Sequence, residues 1–102
     1  MDDWNGTFEL IDPRLIVVDH RYQRPEKEYL IARISSKPDW AAFGVLTCFR
    51  RPNGVYYCAD GQQRLRGVLQ TEKPPKAVPV FSFHLDGVED EARVFAMINE
   101  WR

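Results

Sequence analysis

The stretch of this chain best equipped for chemistry is Ala59-Asp60-Gly61-Gln62-Gln63-Arg64. A β-forming segment runs into Asp60-Gly61, and a helical pattern leaves it. The start of a helix presents unpaired backbone N–H groups and the positive end of its dipole. A glycine just ahead of it lets a ligand come close to the backbone. Together these make an anion site suited to phosphate. Arg64 falls in the first turn, where its guanidinium can fork onto phosphate oxygens. Gln62 and Gln63 add neutral donors. Asp60 is the discordant member, because a carboxylate repels phosphate. Three roles are open to it: capping the helix, holding Arg64, or sharing a metal with the phosphate. The plainer alternative is a strand-to-helix turn in which Asp60 is only the N-cap and Arg64 a surface residue.

Two further clusters bear on this turn. Tyr22-Gln23-Arg24-Pro25 also lies between a strand and a helix. It offers a second helix start, with the Gln23 amide and the Arg24 guanidinium as ligand groups, or else a surface loop. Asn99 closes the stripe Ala92, Phe95, Ala96, Asn99, spaced i, i+3, i+4, i+7. A polar amide at the end of an apolar face either meets a site or frays into water.

The elements that must position these groups follow from periodicity. Thr7 to Ile11 reads as a strand closed by Asp12-Pro13, and Leu15 to Val18 as a second. Pro25 suits the first position of a helix, where its missing N–H is no loss. Leu30, Ile31 and Ile34 give that helix an apolar stripe, and Ser35-Ser36-Lys37-Pro38 ends it. Val45 to Arg50 and Val55 to Ala59 flank Pro52-Asn53-Gly54, a strong hairpin signal. Gln62 to Gln70 is a short amphipathic helix, and Thr71 to Pro75 a loop. Ala77 to His84 is another strand. Asp86-Gly87 turns the chain into a closing helix, Glu89 to Trp101, whose acidic first turn suits the dipole. The order β-β-α-β-β-α-β-α predicts an α+β domain with a small mixed sheet. Residues 1–102 are expected to form one domain.

Cys48 and Cys58 fall on opposite arms of the hairpin. A four-residue loop over Arg51 to Gly54 pairs Cys58 with Thr47, and a two-residue turn at Asn53-Gly54 pairs it with Phe49. Either register puts the two thiols on opposite faces, since strand side chains alternate. A disulfide would need a bulge, and reduced, packed cysteines are expected. Two cysteines with the distant His20 and His84 do not make a zinc site.

Composition narrows the partners. Lys plus Arg is 14 and Asp plus Glu 15, for a net charge of -1, so a whole-domain basic field for nucleic acid is absent. DNA contact would need a local patch, Arg50-Arg51 or Arg64-Leu65-Arg66. No apolar run approaches a membrane span, and the acidic start Met1-Asp2-Asp3-Trp4 lacks the layout of a signal peptide. The cytoplasm is the expected compartment.

In this order and spacing the three clusters resemble the ParB/sulfiredoxin superfamily, from about Phe8 to Arg102. Tyr22-Gln23-Arg24-Pro25, a helix, a hairpin, then Asp60-Gly61-Gln62-Gln63-Arg64-Leu65 and a helix is similar to the N-terminal domain of ParB proteins. The Asp-Gly-Gln-Gln-Arg form is most like phage and mobile-element members, and also like NTP-using restriction proteins. The resemblance implies a ParB-like domain that binds CTP or another NTP, with Mg²⁺ accompanying the nucleotide, in DNA metabolism, partition or phage biology. It implies that Gly61, Gln62, Gln63 and Arg64 wrap the phosphates, that Gln23 and Arg24 lie near them, and that Asn99 contributes to metal and phosphates.

Two departures matter. The family's Gly-Glu-Arg-Arg is here Gly-Gln-Gln-Arg, and Ile98 stands where ParB carries the carboxylate before Asn99. Hydrolysis then falls to Asp60 or Glu100 as substitutes, with Asp60 the candidate catalytic and metal-binding residue. Sulfiredoxin's reactive cysteine position is Gln62, so that reductase chemistry is lost. The competing expectations are a ParB-like nuclease or NTPase, for which Asp60, Asp19 and Glu100 are the only carboxylates on offer, and a small phage protein that has kept the fold and binds a host protein. For the last, Trp4, Trp40 and Trp101 are the anchors if exposed, with Trp40 expected in the core. A homodimer is a further possible assembly. The helix-turn-helix domain that follows in ParB is not in this sequence.

Overall fold

A computed structural model describes residues 6–21 and 26–101. It contains β1 (Gly6–Ile11), a 3-10 turn (Pro13–Leu15), β2 (Ile16–Val17), α1 (Glu28–Ser36), α2 (Trp40–Phe43), β3 (Leu46–Arg50), β4 (Tyr56–Asp60), α3 (Gln62–Leu69), β5 (Val78–His84) and α4 (Val88–Glu100). The five strands form one mixed sheet in the order β1-β5-β3-β4-β2. β1 runs antiparallel to β5 and β4 antiparallel to β3, whereas β3–β5 and β2–β4 are parallel. The predicted α+β class and element order hold, with two additions. Asp12 accepts the Arg14 N–H and starts a 3-10 turn that takes Leu15 out of the second strand. Asp39 caps a single helical turn, accepting from the N–H groups of Ala41 and Ala42 at 3.0 and 3.2 Å.

Alternation along the strands sends one set of side chains into the core. Leu46 and Cys48 of β3, Cys58 of β4, and Val78 and Val80 of β5 are buried against Ile16, Phe43, Leu65 and Val68. α1 packs on α3 on this side. Gly67 permits the close approach, because a Cβ there would lie 2.4 Å from Ile34 Cγ2. α4 packs on β4 on the opposite face, the one that Tyr57 presents. Glu91 is its buried residue, Val88, Ala92, Val94, Phe95, Ile98 and Asn99 are half-buried, and Ala96 turns outward.

The hairpin register departs from both expectations. Arg50 pairs with Tyr56, so the connection has five residues, Arg51 to Val55. It is closed by Arg51 N–H to Val55 O at 3.1 Å and Gly54 N–H to Arg51 O at 2.8 Å. An odd-length loop shifts the pairing by one residue and reverses the face of every partner. Cys48 therefore stands directly opposite Cys58, on the same face, and both are free thiols. A register shift between Thr47 and Cys48 then pairs Thr47 with Asp60.

Trp40 is also placed differently from expectation. It is 52% exposed, because the one-turn α2 has a single inward position, which Phe43 takes. Trp40 packs edge-on against that Phe43 ring at 6.3 Å.

Candidate functional site: the turn from β4 into α3

Gly61 is the N-cap of α3 and has φ +105°, a conformation that side chains rarely adopt. A Cβ on Gly61 would lie 2.4 Å from Leu46 Cδ2 and 2.8 Å from Arg64 Nη2. Conformation and space therefore both require glycine. Having no side chain, Gly61 adds no cap of its own to the first-turn N–H groups, and Leu65 N–H closes the first helical bond to Gly61 O at 2.8 Å.

The side chains around the turn are tied to distant segments. Gln63 Oε1 accepts the Lys27 N–H at 2.9 Å. Gln62 Nε2 donates to Glu26 Oε1 at 3.2 Å, and Arg66 Nη1 lies 3.5 Å from the same oxygen. The chain immediately after the Tyr22–Pro25 cluster is thus stitched onto the first turn of α3. Tyr22, Gln23, Arg24 and Pro25 themselves lie outside the described residues, as does Trp4. Arg64 reaches back over the turn. Its Nη1 donates to Phe43 O at 2.5 Å and sits 3.4 Å from Val45 O, and its Nη2 is 3.7 Å from Asp60 Oδ2. Of the three roles open to Asp60, this geometry displays the second, holding Arg64. Beside Arg64 a shallow groove of about 180 Å³ is lined by Arg33, Ile34, Lys37, Trp40 and Phe43.

Asn99 is half-buried on α4, and its Nδ2 donates to Phe95 O one turn back at 2.9 Å. Its amide is thereby engaged within its own helix, and no hydrogen bond links it to α3 among the described residues. Nor do those residues include a group of three His, Cys, Asp or Glu side chains placed to hold a metal ion. Asp19, a carboxylate considered for metal chemistry, is instead buried in an ionic network. Arg51 donates to Glu91 Oε2 and Oε1 at 2.6 and 2.8 Å and to Asp19 Oδ2 at 2.7 Å, while Arg21 also holds Asp19. Hydrogen bonding to Arg21, and next to Arg51, pulls the Asp19 carboxyl well below the usual carboxylate range. The Arg51 guanidinium, stacked 3.4 Å above the Tyr57 ring, is raised mainly by Glu91. Sequence reasoning missed this network. Its one local sign was Glu91, an acidic residue that directly precedes the apolar stripe of α4.

The expected basic patches are largely spent on internal partners. Arg51, Arg64 and Arg66 all face protein acceptors, and Arg50 lies 5.6 Å over the Tyr56 ring. No helix among the described residues is long and apolar enough to cross a membrane.

The sheet order, the strand-turn-helix at Gly61 and the flanking helices define a ParB-like fold. Two solved structures, both of the C-terminally truncated chromosome-partitioning protein ParB from Caulobacter crescentus, share it. The one complexed with CTP-gamma-S superposes with a TM-score of 0.67 at 17% identity, over 94% of this chain and 54% of that one. The one complexed to the centromeric parS site gives 0.66 at 16% identity, over 89% and 46%. The chain thus spans about half the length of those truncated chains. No protein-family profile and no curated protein matches the sequence.

Proposed function

We propose that this domain binds a nucleoside triphosphate, CTP or a relative, with its phosphates on the Gly61–Arg64 turn and in a role connected with DNA. The observation that carries the reading is Gly61. It combines a left-handed N-cap, no side chain and a donor-rich first turn, which is how a backbone cradles phosphate. The fold shared with a protein solved in complex with CTP-gamma-S supports the choice of nucleotide. Gln62 and Gln63 supply amides at the rim, and Gln23 and Arg24, next in sequence to the Glu26–Lys27 stretch held to α3, are the further ligands proposed. Arg64 joins by exchanging neutral carbonyls for an anionic phosphate, and a charged acceptor is the stronger partner. The groove beside it, with Arg33, Lys37 and Trp40 along its walls, takes the remainder of the nucleotide. Asn99 extends the site only if its helix bond to Phe95 opens.

The donor set does not fit a metal held by the protein alone. Among the described residues Asp60 and Glu26 are the carboxylates at the turn, and Glu26 is already bonded to Gln62 and beside Arg66. They join no group of three metal-ligating side chains among those residues, and Ile98 brings no carboxylate from α4. Mg²⁺ would therefore enter with the nucleotide, and hydrolysis is not part of this proposal. The same shortage of grouped carboxylates counts against a metal-dependent nuclease.

Titration of the four NTPs, with and without Mg²⁺, followed by calorimetry and thermal shift, tests the reading. Binding by the wild type is expected, and Arg64→Ala should lose about 1.5–3 kcal/mol of it, the worth of a hydrogen bond to a charged group. No heat and no stabilisation with any NTP would reject the proposal.

A further inference from the structure

We infer that Cys48 and Cys58 form an oxidisable pair, a cross-strand disulfide site that pins the hairpin directly beneath the Gly61 turn. The two residues are mutual Cα partners in the β3–β4 ladder, and both are fully buried free thiols. Directly opposed residues of an antiparallel pair have Cβ atoms about 4.5–5.5 Å apart and Cα atoms about 4.5–5.5 Å apart. The Cα spacing lies within the range that a disulfide spans, so only a modest closing of the Cβ atoms is needed. The neighbouring Cys58 thiol, and next burial, push the Cys48 thiol up. The pair exists because of the five-residue loop. A connection one residue shorter would have sent the sulfurs to opposite faces.

Position gives the bond a structural consequence. The register shift between Thr47 and Cys48 begins immediately beside the pair, and it places Asp60 opposite Thr47. A covalent link at Cys48–Cys58 would fix the strand pair at the point where the register changes, two residues before Asp60. This holds whether or not the turn binds a nucleotide.

The oxidant is a hydroperoxide or a small disulfide. With a hydroperoxide, one thiolate attacks the peroxide oxygen. The O–O bond breaks, and a sulfenic acid and an alcohol or water result. The second thiol attacks the sulfenic sulfur, the S–S bond forms, the S–O bond breaks, and the oxygen leaves as water with the displaced protons. Two electrons pass from the sulfurs to the peroxide. With oxidised glutathione, a mixed disulfide takes the place of the sulfenic acid and reduced glutathione leaves. Full burial makes both routes slow, since the first attack waits on local opening.

An equilibrium measurement avoids that kinetic barrier. The wild-type chain is brought to equilibrium in glutathione buffers, once folded and once in denaturing urea, and the bridged fraction is read by alkylation and peptide mass spectrometry. The expected result is a Cys48–Cys58 bridge favoured at least about tenfold in the folded chain, a reduction potential lower by about 30 mV. By the closed thermodynamic cycle the oxidised protein should resist urea more than the reduced one. An equal or smaller bridged tendency in the folded chain would overturn the inference. So would a product that is a glutathione adduct or an intermolecular dimer.

Discussion

Replacing Arg51 with methionine probes how α4 is held to the sheet. Glu91 is fully buried and receives two Arg51 hydrogen bonds at 2.6 and 2.8 Å. Asp19 receives one from Arg51 but keeps Arg21. The substitution therefore removes two hydrogen bonds from Glu91 and one from Asp19. Removing one partner of a buried ion pair costs about 3–5 kcal/mol. Asp19's second partner argues for the lower part of that range, and loss of the guanidinium over Tyr57 adds about 0.5–2 kcal/mol. Methionine preserves most of the stem packing. The expected loss is about 3–4 kcal/mol, a large share of the roughly 5–15 kcal/mol that holds a domain folded. Glu91→Gln keeps the shape and one acceptor, so it should lose less, about 1–3 kcal/mol. The double variant Arg51→Met with Glu91→Met should recover stability relative to Arg51→Met alone, since apolar residues of similar volume often replace a buried pair without loss. Urea unfolding at neutral pH, followed by tryptophan fluorescence, measures these variants together with Glu91→Met, which completes the cycle. Additive effects, or single variants within about 0.5 kcal/mol of wild type, the range of ordinary surface changes, would refute the claim that this pair latches α4.

Two glycine variants separate packing from the site. Gly61→Ala should destabilise by about 1–3 kcal/mol from backbone strain and also abolish any nucleotide-induced thermal shift. Gly67→Ala, which crowds Ile34, should destabilise by about 1–3 kcal/mol from overpacking yet leave that shift in place. The acid limb of stability should carry the mark of Asp19. Its carboxyl is depressed in the folded state, so its contribution is present above the unfolded value of about 3.9 and is lost as pH falls below it. Asp19→Asn should flatten that part of the profile, and urea midpoints measured across the acid range would show it.

How far the sequence could be read depended on the range of the interaction. Local rules carried the helix starting at Gln62, the glycine ahead of it and the order of the elements along the chain. The Asn53-Gly54 turn was equally visible. Its length was not, because Val55 joins the loop through a hydrogen bond to Arg51 and its own N–H binds Asn53 Oδ1 at 2.9 Å. One residue of slip then reversed the faces of Cys48 and Cys58. Arg64 could be placed in the first turn of α3 by counting, but its direction is set by the Phe43 and Val45 carbonyls, some twenty residues earlier. The Arg51–Glu91 pair spans 40 residues, and no periodicity in either segment announces it. Charge was the weakest guide. A run such as Arg50-Arg51 reads as a basic patch until the acidic partner folds over it.

Asp60 decides between two chemistries, and the two predict opposite signs. Arg64 Nη2 lies 3.7 Å from Asp60 Oδ2 and both side chains are partly exposed, so the pair is worth about 0.2–1 kcal/mol. If Asp60 only holds Arg64, phosphate must compete with it both for the guanidinium and against its negative charge. Asp60→Asn then removes the ionic restraint on Arg64, though not its Phe43 and Val45 carbonyl contacts, together with the repulsion. NTP affinity without Mg²⁺ should rise by up to about fivefold, the equivalent of that pair energy. If Asp60 shares a metal with the phosphates, the same substitution lowers affinity, and only when Mg²⁺ is present. The observed contact favours the first outcome. Calorimetric titration of the wild type and Asp60→Asn in EDTA and in Mg²⁺ measures the sign directly, and a loss confined to Mg²⁺ would overturn the reading of Asp60 as the residue that restrains Arg64 until phosphate arrives.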